Sequence, residues 1–285
     1  MKYPWNDYSG RLSPLKLTVF LALFCPAAWV GLSFALGWLE PRPFTAAIRE
    51  IGLWTIRLIF MALAITPLRH AVQWSRLILV RRMIGVAAFA YATLHLGLYT
   101  ADQMFDLAKV ASEIISRIYL TIGFTAVLGL AALAATSTDA MIRRLGARSW
   151  QRLHRLVYLV ALLAIVHYCM QSKLDLWEPT IMAGIYAWLM GYRLLALRFA
   201  VRGRLPPVWT VVLAIAAATA TALGEAAYFM LAYHADPERV IAANWSLMLG
   251  VRPAPIVLGC GLAVAVAAML RGYFALPAKR RTRFA

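Results

Sequence analysis

The chain has 285 residues, of which 62% are hydrophobic and only 14% charged, and its mean hydropathy is +0.71. That excess of apolar residues excludes an ordinary soluble domain of this size and marks an integral membrane protein. A net charge of +17 would suit a nucleic-acid partner if it formed one soluble basic face, but the arginines fall between apolar runs, so topology explains them and no nucleic acid is expected.

Apolar runs of about 20 residues, without the period-two alternation of barrel strands, predict α-helices that cross the hydrocarbon core of a lipid bilayer. Eight are expected, over residues 17–38, 48–66, 83–101, 118–136, 152–171, 179–199, 208–233 and 254–275. The first is longer than a signal-peptide core and has no small-residue cleavage site behind it, so it is read as a retained helix. The segments on one side of these spans carry twenty Lys and Arg, from Lys2, Arg11 and Lys16 at the start to Lys279, Arg280, Arg281 and Arg283 at the end. The opposite segments carry seven, namely Arg42, Arg49, Lys109, Arg117, Lys173, Arg239 and Arg252, with most of the acids. Basic residues are retained on the cytoplasmic side, so both termini are expected there.

No repeat, linker or soluble domain is visible, and neither a GxGxxG after a strand nor a P-loop is present, so no nicotinamide-binding or ATP-hydrolysing domain is encoded. Cys25, Cys169 and Cys260 lie in or beside apolar runs, outside any CxxC or CxxCH, and read as packing residues.

Five histidines remain. His70 at a helix end and His234 in an outer loop read as solvated polar residues, whereas His95, His154 and His167 interrupt or adjoin apolar helices, where polar residues are rare and usually functional. His95 lies thirteen residues beyond Arg82 and His167 thirteen beyond His154, a rise of roughly 20 Å in both helices. His95 and His167 are therefore expected at one level towards the outer leaflet; such imidazoles can bind haem iron or another metal, relay protons or hydrogen-bond a neighbouring helix, and a facing pair suits the two axial positions of a b-type haem, since zinc would want three or four ligands. His154 is opposed by Arg81 and Arg82 rather than by a second histidine, so one bis-histidine haem is favoured over two. Thirteen residues also leave His154 and His167 about 140° apart around an ideal helix, so either that helix is distorted or His154 serves another purpose: an unusual haem ligand, a propionate or flavin contact, or an interfacial polar residue. Arg57, inside the second span, could pair with a haem propionate or snorkel. Glu225, inside the seventh, could assist quinone protonation or be an uncharged or hydrogen-bonded structural carboxyl.

The segments ITPLRH, RRMIGVAAFAYATLHLGLY, RIYLTIGF and TSTDAMIRRLGARSWQRLHRLVYLVALLAIVHY resemble the MsrQ (YedZ) family of haem-binding membrane subunits of the bacterial methionine sulfoxide reductase system, within the ferric-reductase-like transmembrane group. The resemblance spans about residues 10–200. It implies an all-α polytopic membrane protein: a six-helix ferric-reductase-like haem-binding bundle over 1–204, extended here by two additional helices over 205–285. It further implies an inner-membrane electron conduit, fed by the quinone pool and passing electrons through FMN and haem b to a periplasmic molybdopterin subunit that repairs oxidised methionines. His95, His154 and His167 match the family's haem-associated histidines, and Arg81 and Arg82 an arginine pair placed near a flavin phosphate, a role for which guanidinium chemistry is suited. A stand-alone ferric reductase or oxidase would usually carry a fused FAD/NADPH domain, which is missing. A transporter with proton-relay histidines would be expected to show an inverted repeat or spans broken by paired Gly/Pro, and neither is seen.

Overall fold

The computed structural model describes the chain except for residues 1–2, 7–9, 173–174, 202–203, 247–249 and 275–285. Lys2, Lys173, Arg202 and the basic group at 279–283, all used in the charge count, and the last residue of the eighth expected span lie outside the described residues.

Thirteen α-helices follow in order among the described residues: α1 (Pro14–Ala22), α2 (Cys25–Ala35), α3 (Pro43–Ala71), α4 (Ile78–Asp102), α5 (Leu107–Ser116), α6 (Ile118–Ala135), α7 (Asp139–Leu145), α8 (Ala147–His154), α9 (Leu156–Gln171), α10 (Trp177–Phe199), α11 (Pro207–Tyr233), α12 (Pro237–Trp245) and α13 (Pro253–Phe274). They supply eight stretches long and apolar enough to cross a membrane, in agreement with the eight expected from hydropathy. The protein is thus an all-α, multi-pass membrane protein. Large apolar side chains such as Leu21, Trp29, Leu128 and Leu197 stay exposed, as they must where lipid is the solvent.

Two compact units form: Met1–Ile65 with Arg76–Leu174, and Thr66–Ser75 with Asp175–Ala285. In the first, α6 packs on α9 and α4, and α1 on α4; in the second, α11 packs on α13, α10 and α12. Packing therefore groups the sixth span, α10, with the last two, whereas the 204/205 boundary in the sequence follows the extent of a family resemblance.

Two spans are interrupted where hydropathy reads them as single helices. The first breaks between α1 and α2, just ahead of Pro26, whose ring nitrogen cannot donate to the carbonyl one turn back. Ala27 N–H and Leu23 C=O, which would bond each other in an unbroken helix, are bridged by the Tyr91 hydroxyl of α4: it donates to Leu23 O at 2.7 Å and accepts from Ala27 N at 3.0 Å. The fifth span breaks at Arg155, where i→i+3 bonds from Arg155 N to Arg152 O and from Tyr158 N to Arg155 O tighten the turn between α8 and α9. The straight helix five assumed for the 140° separation is therefore not present.

Because Tyr91→Phe leaves Leu23 O and Ala27 N without their bridge inside the bundle, it is expected to lower stability by about 1–3 kcal/mol. An SDS unfolding titration in mixed micelles measures the change.

Candidate metal-binding site and polar clusters

The first unit brings two of the three singled-out histidines together. His95 on α4 and His167 on α9 have ring centroids 6.3 Å apart with planes at 86°. Each ring is tied back to a neighbouring helix: His95 Nδ1 lies 2.8 Å from Ile48 O on α3, and His167 Nδ1 lies 2.8 Å from Tyr119 O on α6. A carbonyl oxygen only accepts, so Nδ1 carries the proton in both rings and Nε2 keeps a free lone pair. This is the arrangement of metal-ligating histidines, whose second nitrogen commonly donates to a carbonyl and so fixes tautomer and ring orientation.

The spacing suits one metal between two rings. Metal–imidazole bonds of about 2 Å, with each ring centre roughly 1 Å behind its nitrogen, put the centres about 6 Å apart when both Nε2 atoms face the metal. No group of three or more His, Cys, Asp or Glu that could hold a metal ion occurs among the described residues. A two-ligand site therefore fits a haem iron, whose other ligands belong to the macrocycle, better than a protein-only metal cage.

His154 is held differently. Its ring stacks on Trp150 at 3.8 Å and 26°, its Nδ1 lies 3.1 Å from Trp150 O, and its Nε2 lies 3.3 Å from Ser137 Oγ. Both nitrogens are engaged by protein. Trp150 is itself fixed by its indole N–H, which donates to Thr136 O at 2.9 Å. Arg82 pairs with Asp139 at the start of α7, and Arg81 is within electrostatic range of His154. Arg57 stacks its guanidinium over Trp54 at 5.1 Å from the ring centroid.

Beyond the histidine pair, Glu113 accepts from the Tyr99 hydroxyl and from Arg117 Nη2 at 3.2 Å, and Arg117 Nη1 donates to the Tyr119 hydroxyl at 3.2 Å. Tyr99 follows His95 by one helical turn, and Tyr119 provides the carbonyl for His167. No sequence pattern announces this network, because Tyr99 is on α4, Glu113 on α5 and Tyr119 on α6, with Arg117 between the last two.

In the second unit, Glu225 is buried and doubly bonded: Asn244 Nδ2 donates to Oε2 at 2.6 Å and Arg252 Nη2 to Oε1 at 2.7 Å. Asn244 Oδ1 in turn accepts from Ala254 N at 3.2 Å. Of the two readings of Glu225, the geometry is that of a hydrogen-bonded, charge-paired structural carboxyl. His234 closes α11 with a left-handed φ of +54°, and His70 lies half-buried near the end of α3.

Residues 51–165 of this helical membrane bundle match the family model described as "Ferric reductase like transmembrane component". The protein-methionine-sulfoxide reductase heme-binding subunit MsrQ of Rhodospirillum rubrum is 42% identical over 193 residues, covering 67% of this chain and 93% of that one. The subunits of the same name from Azospira oryzae and Caulobacter vibrioides are 40% and 39% identical, covering 64% and 61% of this chain and 79% and 84% of theirs. The chain belongs to the MsrQ family. No solved structure matches it.

Glu225→Ala would strand Arg252 in a partly buried site and is expected to cost roughly 2–3 kcal/mol, less than a fully buried pair because Arg252 retains 29% exposure. Unfolding titrations of the single and double variants, Glu225→Ala with Arg252→Ala, measure the coupling.

Proposed function

We propose that the chain is a membrane electron-transfer subunit that holds a b-type haem between His95 and His167. The observation that carries this reading is the paired rings at 6.3 Å, each with Nδ1 bonded to a helix carbonyl. The haem iron supplies one-electron chemistry. The protein's part is to present two Nε2 lone pairs at fixed separation, exclude water with the surrounding helices, and keep both rings in one tautomer between oxidation states.

The finer assignments rest on family membership and on charge. Electrons enter from the respiratory quinone pool and leave to a periplasmic molybdopterin methionine sulfoxide reductase, across a bacterial inner membrane in which the Arg-rich ends of the spans and both termini face the cytoplasm. Arg81 and Arg82 bind the phosphate of FMN beside the α7–α8 turn, and Arg57 neutralises a haem propionate. His154, haem-associated by family membership, is a haem-propionate or flavin contact rather than an axial ligand of this haem. The functional division is a haem-binding part over 1–204 and an extension over 205–285.

His95→Ala and His167→Ala are each expected to abolish the Soret band and the reduced α band, whereas His154→Ala retains them with a haem-to-protein ratio near that of the unaltered protein. Either of the first two variants keeping a full spectrum would refute the pair. For the physiological role, reduced membranes containing the chain should pass electrons to the periplasmic reductase, and transfer that continues unchanged without the chain would rule the role out.

A further inference from the structure

Both histidines rest on a glycine at the same place relative to the carbonyl they use. Gly52 lies four residues after Ile48 on α3, and Gly123 four after Tyr119 on α6. A Cβ on Gly52 would stand 2.9 Å from both Nδ1 and Cε1 of His95, and one on Gly123 would stand 2.7 Å from Nδ1 and 2.8 Å from Cε1 of His167. At each glycine the three nearest heavy atoms all belong to the histidine.

Helix geometry accounts for the repetition. The carbonyl of residue i already accepts the N–H of residue i+4, and the side chain of residue i+4 leans back over that carbonyl, because Cα–Cβ bonds tilt towards the helix N-terminus. An imidazole from another helix can settle over that carbonyl and reach its remaining lone pair where residue i+4 has no side chain in the way. Other helical glycines in the same unit do not share the arrangement: Gly129 meets Val160, and Gly85 and Gly97 meet nothing within 4 Å.

We infer that Gly52 and Gly123 are positioning residues that admit the two imidazoles to the Ile48 and Tyr119 carbonyls and thereby set their tautomer and orientation for axial ligation. The inference rests on the haem reading above. The bond at Nδ1 makes an imidazole a stronger donor through Nε2 and favours the oxidised metal, so loosening it raises the midpoint potential.

The test compares Gly52→Ala and Gly123→Ala with Gly129→Ala, whose Cβ would meet Val160 Cγ2 at 2.5 Å, and with Gly97→Ala, which has open space. Haem content, the low-spin spectrum and the midpoint potential are read on purified protein, and the Nδ1–H tautomer is read by ¹⁵N NMR of labelled histidine. The expected result is a haem content at least halved, or a retained haem with a raised potential, in the first two variants, with loss of the Nδ1–H form. Gly129→Ala should lower thermal stability with spectrum and potential unchanged, and Gly97→Ala should change neither. Wild-type spectrum, potential and tautomer in both Gly52→Ala and Gly123→Ala would overturn the inference, as would the same spectral change in Gly129→Ala. An unaltered protein with no Soret band would instead overturn the haem reading, and the NMR arm would still show whether the glycines seat the rings.

Discussion

An imidazole N–H inside a lipid-facing bundle has no water to bond, and the nearby acceptors are helix carbonyls already engaged by their own helix. The second lone pair of such a carbonyl is what His95 and His167 use. The rest of the site depends on that contact. It fixes the proton on Nδ1, leaves the lone pair on Nε2, brings each ring onto the surface of a neighbouring helix, and so sets the separation of the two rings.

The same demand for internal partners explains the other polar groups at depth. Tyr91 completes the bond that the break near Pro26 opens between Leu23 and Ala27. Glu225 is satisfied by Asn244 and Arg252 together. His154 sets Nδ1 against Trp150 O and Nε2 beside Ser137 Oγ. That is the physical difference among the three histidines: His154 has protein polar groups beside both ring nitrogens, while among the described residues His95 and His167 have one at Nδ1 only.

Hydropathy made the eight spans legible because the bilayer imposes length and composition directly. It could not show the interruptions at Phe24 and Arg155, since a broken helix has the same composition as a whole one. Counting from Arg82 and from His154 placed His95 and His167 at equal depth, because rise per residue is nearly constant along a helix. Azimuth was not legible in the same way: which neighbouring helix each ring touches depends on packing between segments far apart in sequence. Gly123 stood inside the RIYLTIGF segment and Gly52 inside EIGLW, yet an isolated glycine in an apolar helix has many structural uses. Only the paired i, i+4 relation to a bonded carbonyl distinguishes these two. Glu225 was visible as an intramembrane carboxyl, but its partners lie 19 and 27 residues further along the chain.

Electron transfer favours ligands that do not rearrange when the charge on the metal changes, and rigid support behind the ligands supplies this. In the proposed role, each imidazole is held by a hydrogen bond at one nitrogen, a metal bond at the other and a glycine-lined helix surface against its face. The support behind His167 extends further, because the residue whose carbonyl it uses, Tyr119, is bonded through its hydroxyl to Arg117, and Arg117 to Glu113 and thence Tyr99. Tyr99 stands one turn beyond His95 on the same helix, so the two ligands are linked through protein at the end of the bundle where they lie. A displacement of either ring would have to break a carbonyl bond or move a helix, which is how a pair of side chains on separate helices can behave as one rigid site.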